Sequence, residues 1–427
     1  MSGHPIATAD TFAQAPSRAA ADASALAATR LVSLDAFRGL TIAGMILVNN
    51  PGTWAYVYWP LDHAKWNGWT PTDLIFPFFL FIVGVSLVLS FTKRLAAGAT
   101  RAALALHVVQ RSLIIFAVGL FLAGFPYFRM ATIRIPGVLQ RIAVCYLFAG
   151  LIVLASGLFR ERERATSPDN RSDVGARSAR GIAQIVAVLV VLLVGYWALM
   201  TFVPVPGYGV GRLDPQGNLG AYLDRKLLAG HLWSQSKTWD PEGILSTIPA
   251  IGTALAGVLV GLWLRSRRTP QIKAAGLLAA GAAGLLLGEL LHPLFPINKN
   301  LWTSTYVVFT GGFAMLLLGL CYWVMDIRGL RRWAAPLLVF GANPLAAYAL
   351  SSLLAKASVI WHVTRADGRV LTWHGYVYNR FFQPAVSQAN LPLASPYNAS
   401  LAFAVSYVLL WLALMWILYW RRIFIKI

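Results

Sequence analysis

The sequence predicts an all-α fold: a polytopic membrane bundle of about ten transmembrane helices. Of its 427 residues, 58% are apolar and only 12% are charged, whereas a soluble domain is usually about 45–50% apolar and about 25% charged. The mean hydropathy is +0.62. Ten stretches reach the roughly twenty mostly apolar residues that a bilayer span requires. Together these observations exclude an ordinary soluble enzyme and a disordered chain.

The ten candidate spans follow one another along the chain. They lie near residues 36–53, 74–92, 104–124, 138–158, 182–203, 244–264, 274–292, 304–325, 334–354 and 400–420. Residues 70–73 (TPTD) precede the second span with an N-cap, a first-turn proline and an acidic third position, which is typical of a helix start. Pro77 and Pro344 fall inside spans, where neighbouring helices can satisfy the carbonyls that a proline frees.

The positions of the cations predict the topology. A net charge of +20 would suggest nucleic acid in a soluble protein, but in a membrane protein the distribution of Lys and Arg sets the orientation. Both termini and the loops 92–103, 159–181, 265–273 and 326–333 carry 21 of them in 94 residues, and the alternate segments carry 12 in 132 residues. The first set is therefore predicted to be cytoplasmic. Both termini then lie inside, and no nucleic-acid partner is expected.

Residues 1–30 are predicted to be a disordered cytoplasmic tail, and residues 31–427 a single transmembrane domain. The tail is rich in Ala, Ser, Thr and Pro and has no apolar core of the kind a cleaved signal peptide needs. Cys145 and Cys321 fall inside predicted spans, so the pattern supports neither a disulfide framework nor a zinc site, and no metal is expected.

Polar side chains mark both ends of the first span. Asp35 and Arg38 are three residues apart at its inner end, so on a helix they share a face and could pair; equally, Arg38 could extend to lipid headgroups while Asp35 caps the helix. Asn49 and Asn50 stand at its outer end before a Pro-Gly pair, which is a common helix stop. A carboxamide there could also donate a hydrogen bond to a substrate carbonyl.

The segment between the first two spans contains many aromatic and ionisable side chains. Residues 58–73 contain three Trp, one His, one Lys and two Asp. Interfacial Trp residues need no function, and a loop histidine is usually only solvated. Here, however, His63 stands beside Asp62 in a Trp-rich environment that could exclude water. Histidine is the side chain best suited to general-base catalysis near neutral pH.

Several motifs, spread along the chain, resemble those of the transmembrane acyltransferases related to heparan-α-glucosaminide N-acetyltransferase. The matching segments, in order, are residues 34–39 (LDAFRG), 48–49 (VN), 63–68 (HAKWNG), 73–78 (DLIFPF), 135–141 (IPGVLQR), 240–243 (DPEG) and 298–302 (NKNLW). The resemblance covers nearly the whole chain from about residue 31. The chain is similar to the bacterial-type members, which lack the N-terminal lumenal region of the lysosomal enzyme. This resemblance implies a multi-pass protein of the bacterial inner membrane, with a homodimer as a possibility.

The resemblance also implies a reaction. The family takes acetyl-CoA from the cytosolic side and acetylates the amino group of a glucosamine-type sugar on the other side. Its essential histidine matches His63, and an asparagine near the acetyl-transfer centre matches Asn49. A base is needed because only a neutral amine attacks a thioester. His63 is the candidate base, oriented by Asp62, and Asn49 is the candidate oxyanion donor, with Asn50 as the less favoured alternative. A rival scheme makes His63 a covalent acetyl acceptor, and the sequence does not separate the two.

The implied reaction also suggests which residues bind acetyl-CoA and which bind the acceptor sugar. Because Arg suits phosphate binding, Arg38, Arg141 and the polar Asn50 are assigned to acetyl-CoA. Arg141 could instead stabilise the bundle through Glu289, the sole acid deep in a predicted span. Near the outer boundary, hydrogen-bonding amides beside aromatic rings predict a site for the amino-sugar acceptor, although a helix-capping turn explains residues 298–300 as well. The acceptor candidates are Trp66, Asn67, Asn298, Lys299 and Asn300.

Two further hypotheses compete with the enzyme. An amino-sugar transporter without acetyl transfer would also line a pathway with buried polar residues and interrupted helices. A purely structural scaffold is harder to reconcile with Arg and Glu inside spans. His107 and Arg111, four apart at the inner end of the third span, are expected to be interfacial.

Overall fold

The computed structural model describes residues 31–159, 171–365, 367–384 and 395–425, and these are almost entirely helical. The tail 1–30 lies outside the described residues. Thirteen α-helices are present in the described part: α1 Val32–Val48, α2 Ile75–Ala96, α3 Arg101–Gly124, α4 Val138–Ala155, α5 Arg171–Phe202, α6 Leu219–Leu227, α7 Thr247–Leu264, α8 Pro270–Leu291, α9 Ser304–Cys321, α10 Ala335–Ala342, α11 Pro344–Ile360, α12 Trp373–Val377 and α13 Pro396–Trp420. One antiparallel hairpin joins β1 (His362–Thr364) to β2 (Val370–Thr372).

The prediction of a polytopic helical bundle is confirmed. Eight helices in the described residues are long and apolar enough to cross a membrane, and the α10–α11 pair makes a ninth if it is one span. Helix α1 has 17 residues, which is about 25 Å and just under the usual span length. It ends before its predicted limit of residue 53 because Asn49, Asn50 and Pro51 stop it.

The ninth predicted span is not one straight helix. Helices α10 and α11 are bent by 72° at Asn343, since Pro344 has no N–H to continue the hydrogen-bond ladder. The buried Asn343 side chain donates from Nδ2 to the Ile423 carbonyl (2.9 Å), and its Oδ1 accepts from the Ile425 N–H (2.8 Å). The break is therefore stabilised by the C-terminal segment.

Small residues allow close approach of the central helices. Gly84 of α2 lies directly against the Ala254 carbonyl of α7, and Gly257 of α7 lies against the Phe81 carbonyl of α2. Close backbone contact at small residues is the usual basis of helix association in membranes. Gly39 of α1 meets the Leu337 carbonyl of α10 in the same way. The loop between α1 and α2 thus joins two helices that pack closely against α10 and α7.

We expect Gly84→Ala to lower the free energy of unfolding by about 1–3 kcal/mol, because the added methyl group would overlap the Ala254 carbonyl oxygen. Gly311→Ala in α9 is the matched control. Its methyl group would meet nothing within 4 Å, so the change should be neutral or slightly stabilising. Thermal unfolding of the two variants in detergent measures the difference, and equal melting temperatures would contradict the packing argument.

Candidate active site

The start of α2 is capped as the sequence predicts. Residues Pro71–Leu74 form a 3₁₀ turn that leads into α2, and Thr70 and Asp73 form a capping box. The Asp73 Oδ2 accepts from the Thr70 N–H at 3.0 Å. The Asp73 side chain is only 1% exposed, so this turn places a carboxylate beneath the loop that joins α1 to α2.

The same carboxylate holds the His63 ring. Asp73 Oδ1 lies 2.6 Å from His63 Nδ1, and Asp73 Oδ2 also accepts from the Ala64 N–H at 3.0 Å. An ionised carboxylate can only accept hydrogen bonds, so Nδ1 carries the proton in this contact. The neutral ring then presents Nε2 as its basic nitrogen. His63 is 45% exposed, and solutes can reach it.

Asp62 does not orient the imidazole, contrary to the expectation from its position beside His63. Its Oδ1 accepts from the His63 backbone N–H at 2.8 Å, and its backbone carbonyl accepts from the Thr70 hydroxyl at 2.6 Å. The side chains of adjacent residues in an extended loop diverge, whereas the 3₁₀ turn folds Asp73 back onto the ring. The ring partner is therefore Asp73.

Lys299 completes this cluster from the loop before α9. Its Nζ lies 3.1 Å from both His63 ring nitrogens and 3.8 Å from Asp73 Oδ1. The side chain is 16% exposed. Burial lowers the pKa of the Lys299 ammonium, and the nearby Asp73 opposes this effect. The structure thus brings together a histidine, a carboxylate and an amine from two separate loops.

Asn298 fixes the Lys299 loop. It is fully buried, its Nδ2 donates to Asn67 Oδ1 (3.0 Å), and its Oδ1 accepts from the Leu301 N–H (2.9 Å). These contacts join two of the predicted acceptor-site residues to each other. Asn300 is half-buried in the same turn. Asn298 accordingly positions Lys299, and Asn67, which is exposed, is the member of the pair that solutes can reach.

Trp66 anchors the loop to the outer segment between α5 and α7. Its Nε1 donates to the Leu213 carbonyl at 2.9 Å, and its ring packs edge-on against Trp239 with centroids 5.1 Å apart. The indole is half-buried. Trp66 therefore holds the loop that carries His63 against this outer segment.

The two asparagines at the end of α1 differ in their surroundings. Asn49 is exposed and forms the C-cap of the helix. Asn50 Nδ2 donates to the Ile46 carbonyl at 2.7 Å, which satisfies a free carbonyl of the last turn. Both lie at the His63 end of α1, and Arg38 and Asp35 lie at the other end.

A cationic cavity of about 460 Å³ opens among the helix ends that the charge pattern predicts to be cytoplasmic. Arg38, Arg94, His107 and Arg111 line it with Ser86. Of the two alternatives that the spacing of Asp35 and Arg38 allowed, the structure has the ion pair, at 3.0 Å, and Arg38 also donates to the Ser86 hydroxyl at 2.9 Å. His107 and Arg111 are therefore cavity residues rather than only interfacial ones.

Arg141 and Asn50 do not line this inner cavity. Arg141 is 2% exposed and points to the opposite face of α4. Its Nη2 donates to the Gly243 carbonyl (3.1 Å) and to the Ser246 hydroxyl, and its guanidinium stacks 5.0 Å from the Trp302 ring centroid. Glu289 is exposed on α8, so the predicted Arg141–Glu289 pairing is wrong. The rotation of α4 about its axis, which the sequence did not reveal, turns Arg141 away from both the inner cavity and Glu289.

A second cavity of about 550 Å³ lies toward the outer end. Polar and aromatic residues line it, among them Arg129, Arg134, Gln140, Trp233, Tyr348 and Lys356. Arg134, which directly precedes the motif at 135–141, pairs with Asp240 (2.5 Å) and Glu242 (2.5 Å) of the motif at 240–243. Leu139 lines both cavities and is the wall that they share.

Comparison with known proteins agrees with these motifs. Residues 30–158, which contain α1 to α4 and the His63 loop, match the family model described as heparan-alpha-glucosaminide N-acetyltransferase, catalytic. The chain is similar to heparan-alpha-glucosaminide N-acetyltransferase. It is 33% identical to the Homo sapiens enzyme over 359 residues, and 32% identical to the Mus musculus enzyme over 368. Each match covers 75% of this chain.

The resemblance expected from the motifs is therefore confirmed. The chain spans about half the length of these curated relatives, at 52% and 53%. Its apolar helices and this likeness identify it as a multi-pass integral membrane protein. No group of three or more His, Cys, Asp or Glu that could hold a metal ion occurs in the ranges that the structure describes.

Sequence reasoning missed the role of Asp73 and the inner-cavity cations Arg94, His107 and Arg111. Asp73 was interpreted only as a helix cap, which it is, because a capping pattern gives no hint of a second partner. The sequence did contain a sign of the role of Arg111. A charged side chain within a predicted span has a high free-energy cost and usually has a function. The neighbours of Arg111 in the cavity come from five other helices, α1, α2, α4, α10 and α11, and their convergence is a property of the packing.

Proposed function

We propose that this protein is a membrane acetyltransferase that takes acetyl-CoA from the cytoplasmic side and N-acetylates a glucosamine-type sugar on the opposite side. The observation that carries the proposal is the His63–Asp73 pair at one end of the bundle, with a cation-lined cavity at the other. The likeness to heparan-alpha-glucosaminide N-acetyltransferases supplies the reaction class. We further propose that it resides in a bacterial inner membrane, within the lipid bilayer, and forms a homodimer.

His63 is the proposed general base. With Nδ1 bonded to Asp73, Nε2 accepts the proton as the sugar amine attacks the thioester carbonyl carbon. The carbon–sulfur bond then breaks, and the proton passes from His63 to the departing thiolate. Products are the N-acetyl sugar and CoA. A positioned base of this kind contributes roughly 10²–10⁴ in rate.

Asn49 is the proposed oxyanion donor. It is exposed at the end of α1, where its carboxamide is not committed to the helix as that of Asn50 is. Loss of one such donor typically costs about 3–4 kcal/mol in activation free energy. Trp66, Asn67, Asn300 and Lys299 form the proposed acceptor side, with Asn298 supporting the loop.

The rival chemistry, in which His63 first accepts the acetyl group, requires a covalent intermediate and has its own test. An acetyl-imidazole is labile to hydroxylamine, whereas direct transfer leaves no labelled protein of that kind. Rapid quenching within the first turnover with labelled acetyl-CoA separates the two routes, because only the covalent route then holds label on His63.

The inner cavity is the proposed site for the phosphates of acetyl-CoA. Arginines at helix ends are suited to phosphate oxygens, and Arg38, Arg94 and Arg111 all line this cavity. The Arg111 guanidinium lies 5.1 Å from the Tyr146 ring centroid, which orients it. Asn50 and Arg141 lie away from the cavity and do not enter this part of the proposal.

We expect Arg94→Gln and Arg111→Gln each to raise the KM for acetyl-CoA about tenfold or more, because a charge-assisted hydrogen bond is worth about 1.5–3 kcal/mol. The KM for the amino sugar should stay unchanged. Arg267→Gln is the matched control, since Arg267 is exposed on the same predicted face and does not line the cavity. An equal effect in the control would indicate only general surface attraction.

An amino-sugar transporter is the second candidate, because two cavities that share Leu139 as a wall would also suit alternating access. The test uses purified protein in proteoliposomes with labelled acetyl-CoA outside and glucosamine inside, and also in the reverse arrangement. We expect N-acetylglucosamine to form in stoichiometry with free CoA. Movement of glucosamine across the membrane without consumption of acetyl-CoA would establish the transporter instead.

A further inference from the structure

Lys299 occupies the position that an acceptor amine needs. Its Nζ is 3.1 Å from both His63 ring nitrogens, Nδ1 and Nε2, which is within the reach required of a base and the proton it removes. His63 Nδ1 is already bonded to Asp73 at 2.6 Å, so Nε2 is the nitrogen free to receive a proton. The group that stands before the proposed base is therefore itself a primary amine.

Two features favour Lys299 as a nucleophile. The loop that carries it is held by the buried Asn298, through bonds to Asn67 and Leu301, so the amine is kept near the ring. Burial also lowers the pKa of Lys299, which increases the fraction of the neutral, reactive amine. Reacting groups held about 3–3.5 Å apart gain much of their rate from this proximity.

We propose that Lys299 is an internal acetyl acceptor, which becomes Nε-acetylated when acetyl-CoA is present and the amino sugar is absent. This inference rests on the proposed function, since it requires an acetyl thioester to reach His63. The Lys299 nitrogen attacks the thioester carbonyl carbon, a nitrogen–carbon bond forms and the carbon–sulfur bond breaks. The proton from Nζ passes through His63 Nε2 to the thiolate, and the products are acetyl-Lys299 and CoA.

Acetylation would remove the positive charge 3.8 Å from Asp73 and convert the amine into an amide that no longer competes for His63. A bound amino sugar has to displace the Lys299 amine to reach Nε2. The sugar should therefore protect Lys299 from acetylation, and acetyl-Lys299 should accumulate only when the sugar is absent.

The experiment uses the full chain in nanodiscs, incubated with [¹³C₂]acetyl-CoA without sugar, followed by peptide mass spectrometry. Lys65 and Lys237, both exposed on the same predicted face, report chemical background acetylation. We expect Lys299 to be labelled at least about tenfold faster than either. This factor lies below the rate enhancement that a positioned base usually supplies. His63→Ala should reduce Lys299 labelling to background, and glucosamine should slow it in the wild type. The protection by glucosamine does not depend on the folding of any variant.

Four outcomes overturn the inference. Labelling of Lys299 at the rate of Lys65 and Lys237, or labelling unchanged by both glucosamine and His63→Ala, would mean ordinary chemical acetylation. Transfer to glucosamine with Lys299 unlabelled when the sugar is omitted would refute the internal acceptor and leave the acetyltransferase intact. Absence of transfer to both glucosamine and Lys299 would refute the proposed function together with the inference.

Discussion

His63→Ala is expected to lower acetyl transfer to glucosamine by roughly 10³-fold or more, because it removes the proposed base and, in the rival scheme, the acetyl carrier itself. The protein should still bind acetyl-CoA with near wild-type affinity. The inner cavity is lined by residues of other elements, and His63 lies at the opposite end of α1 from Arg38. Steady-state kinetics in proteoliposomes and equilibrium binding of acetyl-CoA measure the two effects separately.

His362→Ala is the matched control for this substitution. His362 is exposed on β1, so its loss should leave both turnover and binding at wild-type values. Full activity in the His63 variant would remove His63 from the mechanism while leaving the similarity to acetyltransferases unaffected. Loss of acetyl-CoA binding together with activity would instead point to a structural defect, and thermal unfolding would reveal it.

The features that the sequence predicted well are local ones. The capping box at Thr70 and Asp73 depends on residues three apart, and the Asp35–Arg38 pair depends on one helical turn. Helix existence follows from apolar stretches whose length matches the bilayer. In each case the interacting groups are neighbours along one segment, so their spacing alone fixes the contact.

The features that the sequence did not predict require knowledge of packing. Asp73 is ten residues from His63, and only the 3₁₀ turn brings the two together. Arg141 faces Trp302 and Ser246 rather than Glu289, because the rotation of α4 about its axis is set by tertiary contacts. Composition gives no information about either.

The Lys299–His63 contact is intermediate between these cases. The motif at 298–302 and the motif at 63–68 were both recognised as parts of one site, but 236 residues separate the two side chains. Their approach to 3.1 Å depends on the Asn67–Asn298 bond between the loops. Motif resemblance thus located the site, and geometry assigned its partners.

Asp73→Asn is expected to reduce kcat for acetyl transfer by roughly 10²–10⁴, with little change in the KM for acetyl-CoA. In the serine protease triad, where a buried Asp orients the catalytic His, the equivalent change lowers kcat about 10⁴-fold because the wrong tautomer is selected. An asparagine can present its amide N–H to Nδ1, which would then leave the proton on Nε2 and remove the base. Asp73 contacts the ring rather than the substrate, so it acts as a positioning residue.

Asp62→Asn is the matched control. Asp62 is exposed, and in the part of the chain that the structure describes its side chain accepts a hydrogen bond only from the His63 backbone N–H. The variant should retain activity within about threefold, since an asparagine oxygen can still accept that bond. Asp73→Asn also weakens the cap of α2, so thermal unfolding has to accompany the kinetics. A stable Asp73→Asn protein with normal kcat, or an Asp62→Asn protein with the larger defect, would reverse the assignment of the ring partner. A loss confined to kcat in the Asp73 variant, with acetyl-CoA binding intact, is what a positioned histidine requires.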